Sequence, residues 1–290
     1  MNTSVQATRI VKVGAHQGTT TDLLAVEEPL EIRLAYGSAQ NRKQISVSVT
    51  MRTPGYDFEL ALGFLFTEGI IQQFEQIEKI RYCQSEQSQH NNVLKVELST
   101  QVNIDVQKLQ RNFYSTSSCG ICGKASIEAV DTLCSNLSLR NDFIIKESAI
   151  HQAPQQLKEA QVVFKHTGGL HAAGLFDAAG NLLLWREDIG RHNALDKLIG
   201  ACFAKDRELL RSSFLLLSGR VSFELVQKAL MAEIPCIAAV GAPSHLAVHL
   251  AQSYRMTLIG FVREQRFNIY SGISRLAINQ NLTDQEYYGR

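Results

Sequence analysis

The sequence predicts an α/β protein built on a parallel sheet, preceded by a smaller α+β portion. Three observations carry that expectation. Three short apolar runs, Ser213–Ser218, Cys236–Val240 and Thr257–Val262, are separated by segments of helix length. Strands buried on both faces read as continuous apolar runs of this kind, and strand–helix–strand repeats close into parallel sheets. Earlier stretches, Leu30–Tyr36 and Ile45–Met51, instead alternate apolar and polar residues, as half-buried strands do.

In order along the chain, residues up to about 26 show little period and predict a disordered start. Leu30–Tyr36 and Ile45–Met51, joined by the polar Gly37–Lys43, predict a hairpin with one wet face. Arg52-Thr-Pro-Gly-Tyr-Asp57 predicts a turn, with Asp57 capping a helix over Phe58–Phe66 and Gly69 closing it. Val93–Leu98 is a further alternating strand. Ile127, Val130 and Leu133 are three apart and predict an amphipathic helix from Lys124. Pro154–Phe164 predicts another helix. A glycine turn at Gly168-Gly169 enters a strand to Phe176, and Asp177–Gly180 turns into Asn181–Trp185. Helical spacing resumes over Asn193–Ile199, before Pro235, and up to Gln252, with a short segment at Phe267–Tyr270. The organisation expected is an N-terminal α+β portion over 1–112, a cysteine loop and helix over 113–136, and an α/β core over 137–290.

Composition narrows the function classes. Apolar residues make up 45%, charged residues 20%, and the net charge is +1. A general nucleic-acid binder would carry a basic excess. No apolar stretch approaches the roughly 18–20 residues of a membrane span, and the first residues lack a signal-peptide core. Six irregularly spaced cysteines in a chain this long are no disulfide framework, so the cytoplasm is the expected location.

Chemistry concentrates at Tyr114-Ser-Thr-Ser-Ser-Cys-Gly-Ile-Cys-Gly-Lys124. Cys119 and Cys122 fall on a glycine-rich loop just before a helix, where free N–H groups and the positive helix end favour thiolate over thiol. Half of a zinc site or an inert pair are the competing readings; Cys83, Cys134, Cys202 and Cys236 are scattered singly. A second concentration lies where the parallel strands end. Ser218-Gly-Arg-Val-Ser222, Gly241-Ala-Pro-Ser-His245 and Arg263-Glu-Gln-Arg266 bring hydroxyls, guanidiniums and helix starts to the edge where open sheets bind ligands. Arginine forks match phosphate oxygens, so an anionic ligand carrying phosphates is inferred, against the alternative that Arg220, Arg263 and Arg266 pair with Glu224 or Glu264. Neither a dinucleotide nor a P-loop fingerprint occurs. His166 and His171 flank the glycine turn, and His192 stands in the charged run Arg186-Glu-Asp-Ile-Gly-Arg-His192.

Long stretches resemble the FdhD family, the sulfur carriers needed to make active formate dehydrogenase. They are Met51–Gly69, Ser118–Gly123, Thr167–Ala173, Arg186–Ile199, Ser218–Ala229 and Gly241–Val248, with Gly241 and His245 departing from the family pattern. The resemblance implies a cytidine-deaminase-like α/β/α sandwich without the zinc site, usually as a homodimer. It implies that a cysteine desulfurase places a sulfane sulfur on Cys119 as a persulfide, with Cys122 assisting. The sulfur would then pass to the bis-molybdopterin guanine dinucleotide molybdenum cofactor before its insertion into apo formate dehydrogenase. The family's cofactor-binding segment matches Phe261, Val262, Arg263, Glu264, Gln265 and Arg266. No nucleic-acid or membrane partner is implied. Three other classes are a cofactor chaperone that transfers no sulfur, a thiol–disulfide oxidoreductase and a zinc hydrolase. The oxidoreductase would place its Cys-x-x-Cys directly after a strand, where this chain has a polar stretch.

Overall fold

The computed structural model describes residues 4–14, 17–83, 91–102, 104 and 139–278. Cys119, Cys122, Cys134 and the helix expected from Lys124 lie outside the described residues. The chain divides into two compact units, interleaved in sequence. One gathers Met1–Ser135, Gln161–His171 and Arg186–Lys205; the other gathers Asn136–Ala160, Ala172–Trp185 and Asp206–Arg290.

The first unit opens with a hairpin, β1 (Val5–Lys12) and β2 (Gly18–Ala25), where a disordered start was expected. Most residues of this ribbon are exposed and none is buried, so burial imposes no alternation, and backbone pairing alone defines it. Next comes a four-stranded sheet of β3 (Glu28–Tyr36), β4 (Lys43–Arg52), β5 (Ile77–Tyr82) and β6 (Val93–Leu98), in the order β4-β3-β6-β5. β3 and β4 form the expected hairpin, but Val47 is an extra residue: Arg33 pairs with Ser46 and Ile32 with Ser48. This bulge reverses the faces of the second half of β4. Ser48 and Thr50 stand beside the fully buried Ile32 and Leu30, while Val49 is 67% and Met51 47% exposed.

Helix α1 (Asp57–Thr67) covers that sheet and ends as expected: Gly69, at φ +69°, donates to the Phe66 carbonyl and Ile70 to that of Leu65. Its start differs from expectation. Asp57 is the first helical residue, and its carboxylate is taken by Arg52 rather than used as a cap.

The second unit begins its described part with β7 (Ile145–Lys146) and α2 (Glu147–Ala160). Pro154 lies inside α2 instead of opening a helix. Ala149, Ile150, Ala153 and Leu157 form one buried stripe, and that packing outweighs the roughly 3 kcal/mol of an internal proline. A break at Gln161 precedes α3 (Val162–Thr167), which belongs to the first unit and ends at Gly168 in the left-handed region. Strands β8 (His171–Phe176) and β9 (Leu182–Asp188) make the expected hairpin.

Helix α4 (Arg191–Phe203) packs along α1 in the first unit. Added carbons at Gly63 and Gly200 would collide with the Asp196 and Glu59 carbonyls, so two glycines set how closely these helices approach. After the single turn α5 (Glu208–Arg211) come β10 (Phe214–Leu217), α6 (Phe223–Met231), β11 (Cys236–Ala239), α7 (His245–Ser253), β12 (Thr257–Arg263), β13 (Arg266–Ser271) and β14 (Leu276–Ala277). β10, β11 and β12 run parallel, as the apolar runs predict; β8 and β13 flank them antiparallel, in the order β13-β12-β11-β10-β8-β9. Phe214, Leu216, Cys236 and Ala238 face a core shared with α2, and the alternate residues Leu215, Leu217, Ile237 and Ala239 are equally buried. The architecture is mixed α/β.

Candidate functional site

The carboxyl ends of β10, β11 and β12 are bolted together by backbone hydrogen bonds. Gly241 N–H donates to the Gly219 carbonyl (3.1 Å), Val221 N–H to that of Ala242 (3.0 Å) and Ser244 N–H to that of Val221 (2.9 Å). Phe261 N–H donates to the Gly241 carbonyl (3.1 Å), joining the third strand. A side chain at Gly241 would meet the Gly219 carbonyl and Arg220 nitrogen at 2.7 Å, so glycine is what allows these loops to meet. Ser244 Oγ accepts from Ala247 N–H and caps α7. Ser218 Oγ is also engaged, accepting from Ala172 N–H at 2.8 Å.

The three arginines at this edge divide into two kinds. Arg263 Nη1 donates to the carbonyls of Val240 and Val262, both at 2.8 Å, so its guanidinium braces the strand ends. Arg220 and Arg266 are exposed and form no ion pair among the described residues. Pairing with Glu224 or Glu264, the bland alternative, is therefore not what the described residues show.

The segment Phe261–Arg266 is the bulged end of β12 and its turn into β13. Val262 points into the core at 1% exposure, and Glu264 and Gln265 are exposed at the turn. Phe261 has φ +55°, a conformation that residues with side chains rarely adopt, and the residue is 41% exposed. His151 of α2 contributes a brace that the sequence does not signal: its Nδ1 lies 2.9 Å from the Arg263 carbonyl and its ring 5.0 Å from that of Phe267.

The first unit holds the other motif residues, and there the geometry is structural. Arg52, fully buried, donates to both Asp57 oxygens (3.1 and 3.0 Å), and Tyr82 Oη donates to the same carboxylate at 3.0 Å. Burial first, then that carboxylate, pushes the Tyr82 phenol well above its usual range. Asp188 and Lys197, 0% and 1% exposed, pair at 2.6 Å. Asp188 also accepts from Thr53 N–H, Gly190 N–H and Asn193 Nδ2, and Lys197 donates to the Thr53 carbonyl. Arg186 forks onto Glu59 while lying 4.2 Å over the Tyr56 ring. His192 lines a cavity of about 550 Å³ between β4, α1 and α4, together with Ser48, Thr50, Glu68, Asn193 and Asp196. His171 is held below the ordinary histidine range by burial and then by the Arg191 charge.

Of the cysteines described, Cys202 and Cys236 are buried core residues, and burial pushes the Cys236 thiol up to about 12. Cys83 is half-buried. No group of three or more potential metal-binding side chains occurs among the described residues. No helix among them is long and apolar enough to cross a membrane.

What these features define is an α/β protein with a braced strand-end edge whose exposed guanidinium groups form no ion pair among the described residues. Residues 25–277 match the model of the FdhD/NarQ family, and the chain belongs to that family. It is 50% identical over 258 residues to the sulfur carrier protein FdhD of Mycolicibacterium paratuberculosis, covering 88% of this chain and 92% of that one. The sulfur carrier protein FdhD of Picrophilus torridus is 43% identical, covering 92% and 96%. That of Saccharolobus solfataricus is 38% identical, covering 88% and 91%. In fold, the chain resembles the crystal structure of a candidate formate dehydrogenase accessory protein from Desulfotalea psychrophila. The TM-score is 0.71 at 21% identity, over 94% of this chain and 100% of that one.

Proposed function

We propose that this chain is a sulfur carrier that serves the maturation of formate dehydrogenase. The observation that carries the reading is the family match over residues 25–277, with relatives named sulfur carrier proteins, in a chain that holds Cys119-Gly-Ile-Cys122. The Cys119 thiolate attacks the terminal sulfur of a persulfide on a cysteine desulfurase. A new S–S bond forms, the donor's S–S bond breaks, and the donor cysteine leaves as thiolate. Attack by Cys122 on the inner sulfur of the Cys119 persulfide would then release sulfide and leave a disulfide, the two thiols supplying both electrons. The recipient is the molybdenum of the bis-molybdopterin guanine dinucleotide cofactor, handled as substrate and passed on to apo formate dehydrogenase; the working form is a homodimer.

The strand-end edge suits such a polyanion. Arg220 and Arg266 have guanidinium groups to give to phosphate, and Arg263 and His151 hold the turn that presents Arg266. Phe261 offers an aromatic face beside them for the guanine.

The test is intact-protein mass spectrometry after incubation with a cysteine desulfurase and cysteine, comparing wild type with Cys119→Ala. A gain of sulfur that reductant removes and the variant lacks is expected. A wild-type protein that gains none from an active donor would sink the sulfur-carrier reading and leave a cofactor chaperone.

A further inference from the structure

The cavity between β4, α1 and α4 owes its polar lining to the bulge in β4. Ile45, Val47, Val49 and Met51 alternate with polar residues, and Ile45 pairs with the buried Leu34. In an unbroken register all four would face inward. The extra residue at Val47 interrupts that pairing, so Ser48 and Thr50 take the inner positions opposite Ile32 and Leu30. Val49 and Met51 turn to solvent. The chain gives up the burial of two apolar side chains and sets hydroxyls where they would have packed. The space left is about 550 Å³, inside the range of roughly 300–1,000 Å³ of pockets that hold small molecules.

Ile32, Leu60 and Phe64 supply the apolar part of the lining, and oxygen acceptors supply much of the rest. Asp196 and Asn193 come from α4, 3% and 8% exposed, and Glu68 from the end of α1. The buried pair is fixed in orientation. Thr67 Oγ1 donates to Asp196 Oδ1 at 3.0 Å, Thr50 Oγ1 to Asn193 Oδ1 at 3.2 Å, and Asn193 Nδ2 to the Met51 carbonyl at 2.8 Å. The surroundings favour positive charge. No lysine or arginine is among the described residues that line the cavity, and the last turn of α1 holds no basic side chain to offset its negative end. Lys197, next to Asp196 in sequence, is paired with Asp188.

We propose that this cavity binds a small organic ammonium ion, its N–H groups donating to Asp196 and Glu68 and its apolar stem lying against Ile32, Leu60 and Phe64. An ammonium group carries three donors and no acceptor, which matches a wall of carboxylate and hydroxyl oxygens. Such partners are also what a charge needs on leaving water. All the lining residues belong to the first unit. The site draws on neither the strand-end residues nor Cys119 and Cys122, so it does not rest on the sulfur-carrier reading.

His192 also lines the cavity, and its imidazole resonances, assigned through His192→Asn, report occupancy. The full chain is titrated with n-butylammonium chloride, and in parallel with n-butanol and with sodium butyrate, at matched ionic strength. The ammonium ion is expected to shift the His192 resonances saturably, n-butanol to bind roughly tenfold or more weakly, and butyrate not to bind. Glu68→Gln should weaken ammonium binding by a similar factor, and Ser48→Leu, which fills the cavity, should abolish it. Circular dichroism melting establishes that both variants are folded. A linear, unsaturated wild-type response, n-butanol binding as tightly as n-butylammonium, or unchanged binding in either folded variant would overturn the assignment.

Discussion

Replacing Asp188 by asparagine measures how much the buried pair between Asp188, at the end of β9, and Lys197 of α4 stabilises the first unit. The carboxylate is fully buried, pairs with Lys197 at 2.6 Å, and accepts from Thr53 N–H (3.1 Å), Gly190 N–H (2.8 Å) and Asn193 Nδ2 (3.1 Å). Asparagine keeps the shape but leaves Lys197, 1% exposed, with one carbonyl partner and no counter-charge. Breaking a buried pair in this way costs about 3–5 kcal/mol. At about 2–4 °C per kcal/mol for a chain of this order, the melting temperature should fall by roughly 6–20 °C. Circular dichroism melts of Asp188→Asn and of the double variant Asp188→Asn/Lys197→Met provide the assay. The double variant, which buries no lone charge, should be the more stable of the two. An Asp188→Asn protein that melts with wild type, or a double variant no more stable than Asp188→Asn, would refute the reasoning.

Gly63→Ala should destabilise the first unit severely, by more than the about 1–3 kcal/mol typical of overpacking, since its methyl group would collide with backbone of α4; denaturant titration measures this. Alkylation of the native protein at pH 8.5, read by peptide mass spectrometry, should spare Cys202 and Cys236, both buried, until denaturant is added. Because the folded Cys236 thiol titrates above its unfolded value, its contribution to stability is complete below pH 9 and is lost as the pH rises toward about 12. His171 has the opposite sign: its folded pKa is depressed, so stability it contributes above its unfolded pKa is lost as the pH falls below that value. Unfolding of His171→Asn should therefore depend less steeply on pH there than that of wild type. Arg220→Gln/Arg266→Gln should weaken guanosine diphosphate binding roughly tenfold and flatten its salt dependence, as isothermal calorimetry would record; unchanged binding would remove both arginines from the site.

Much of the second unit was legible because burial on both faces leaves an unambiguous mark. Phe214–Leu217, Cys236–Ala239 and the start of β12 are apolar without interruption, and each became a parallel strand. The strand-end loops follow directly from that order, which is why the position of Arg220 and Arg263–Arg266 at the strand ends is legible from residues alone. Cys119 and Cys122, the residues with the plainest chemical signature, lie outside the described residues, and their motif stands on the sequence.

Other features depended on partners distant in sequence. The β1–β2 ribbon left no pattern because neither face is buried. The alternation of Ile45–Met51 marks a strand, but which face its second half buries depends on the extra Val47, visible only against β3. Asp57 looks like a cap until Arg52 and Tyr82 converge on it, and Pro154 looks like a helix start until Ile150 and Leu157 pack into one core. Local sequence determined the elements whose stability comes from their own periodicity: buried strands, the glycine-closed α1 and the β3–β4 and β8–β9 hairpins. The tertiary structure decided what charge and shape do at a distance. Among the described residues it made Arg263 a brace, left Arg266 outside any ion pair, and buried Lys197 beside Asp188. A charged side chain reads the same in sequence whether it is paired or free, and only the groups brought around it by folding determine which it is.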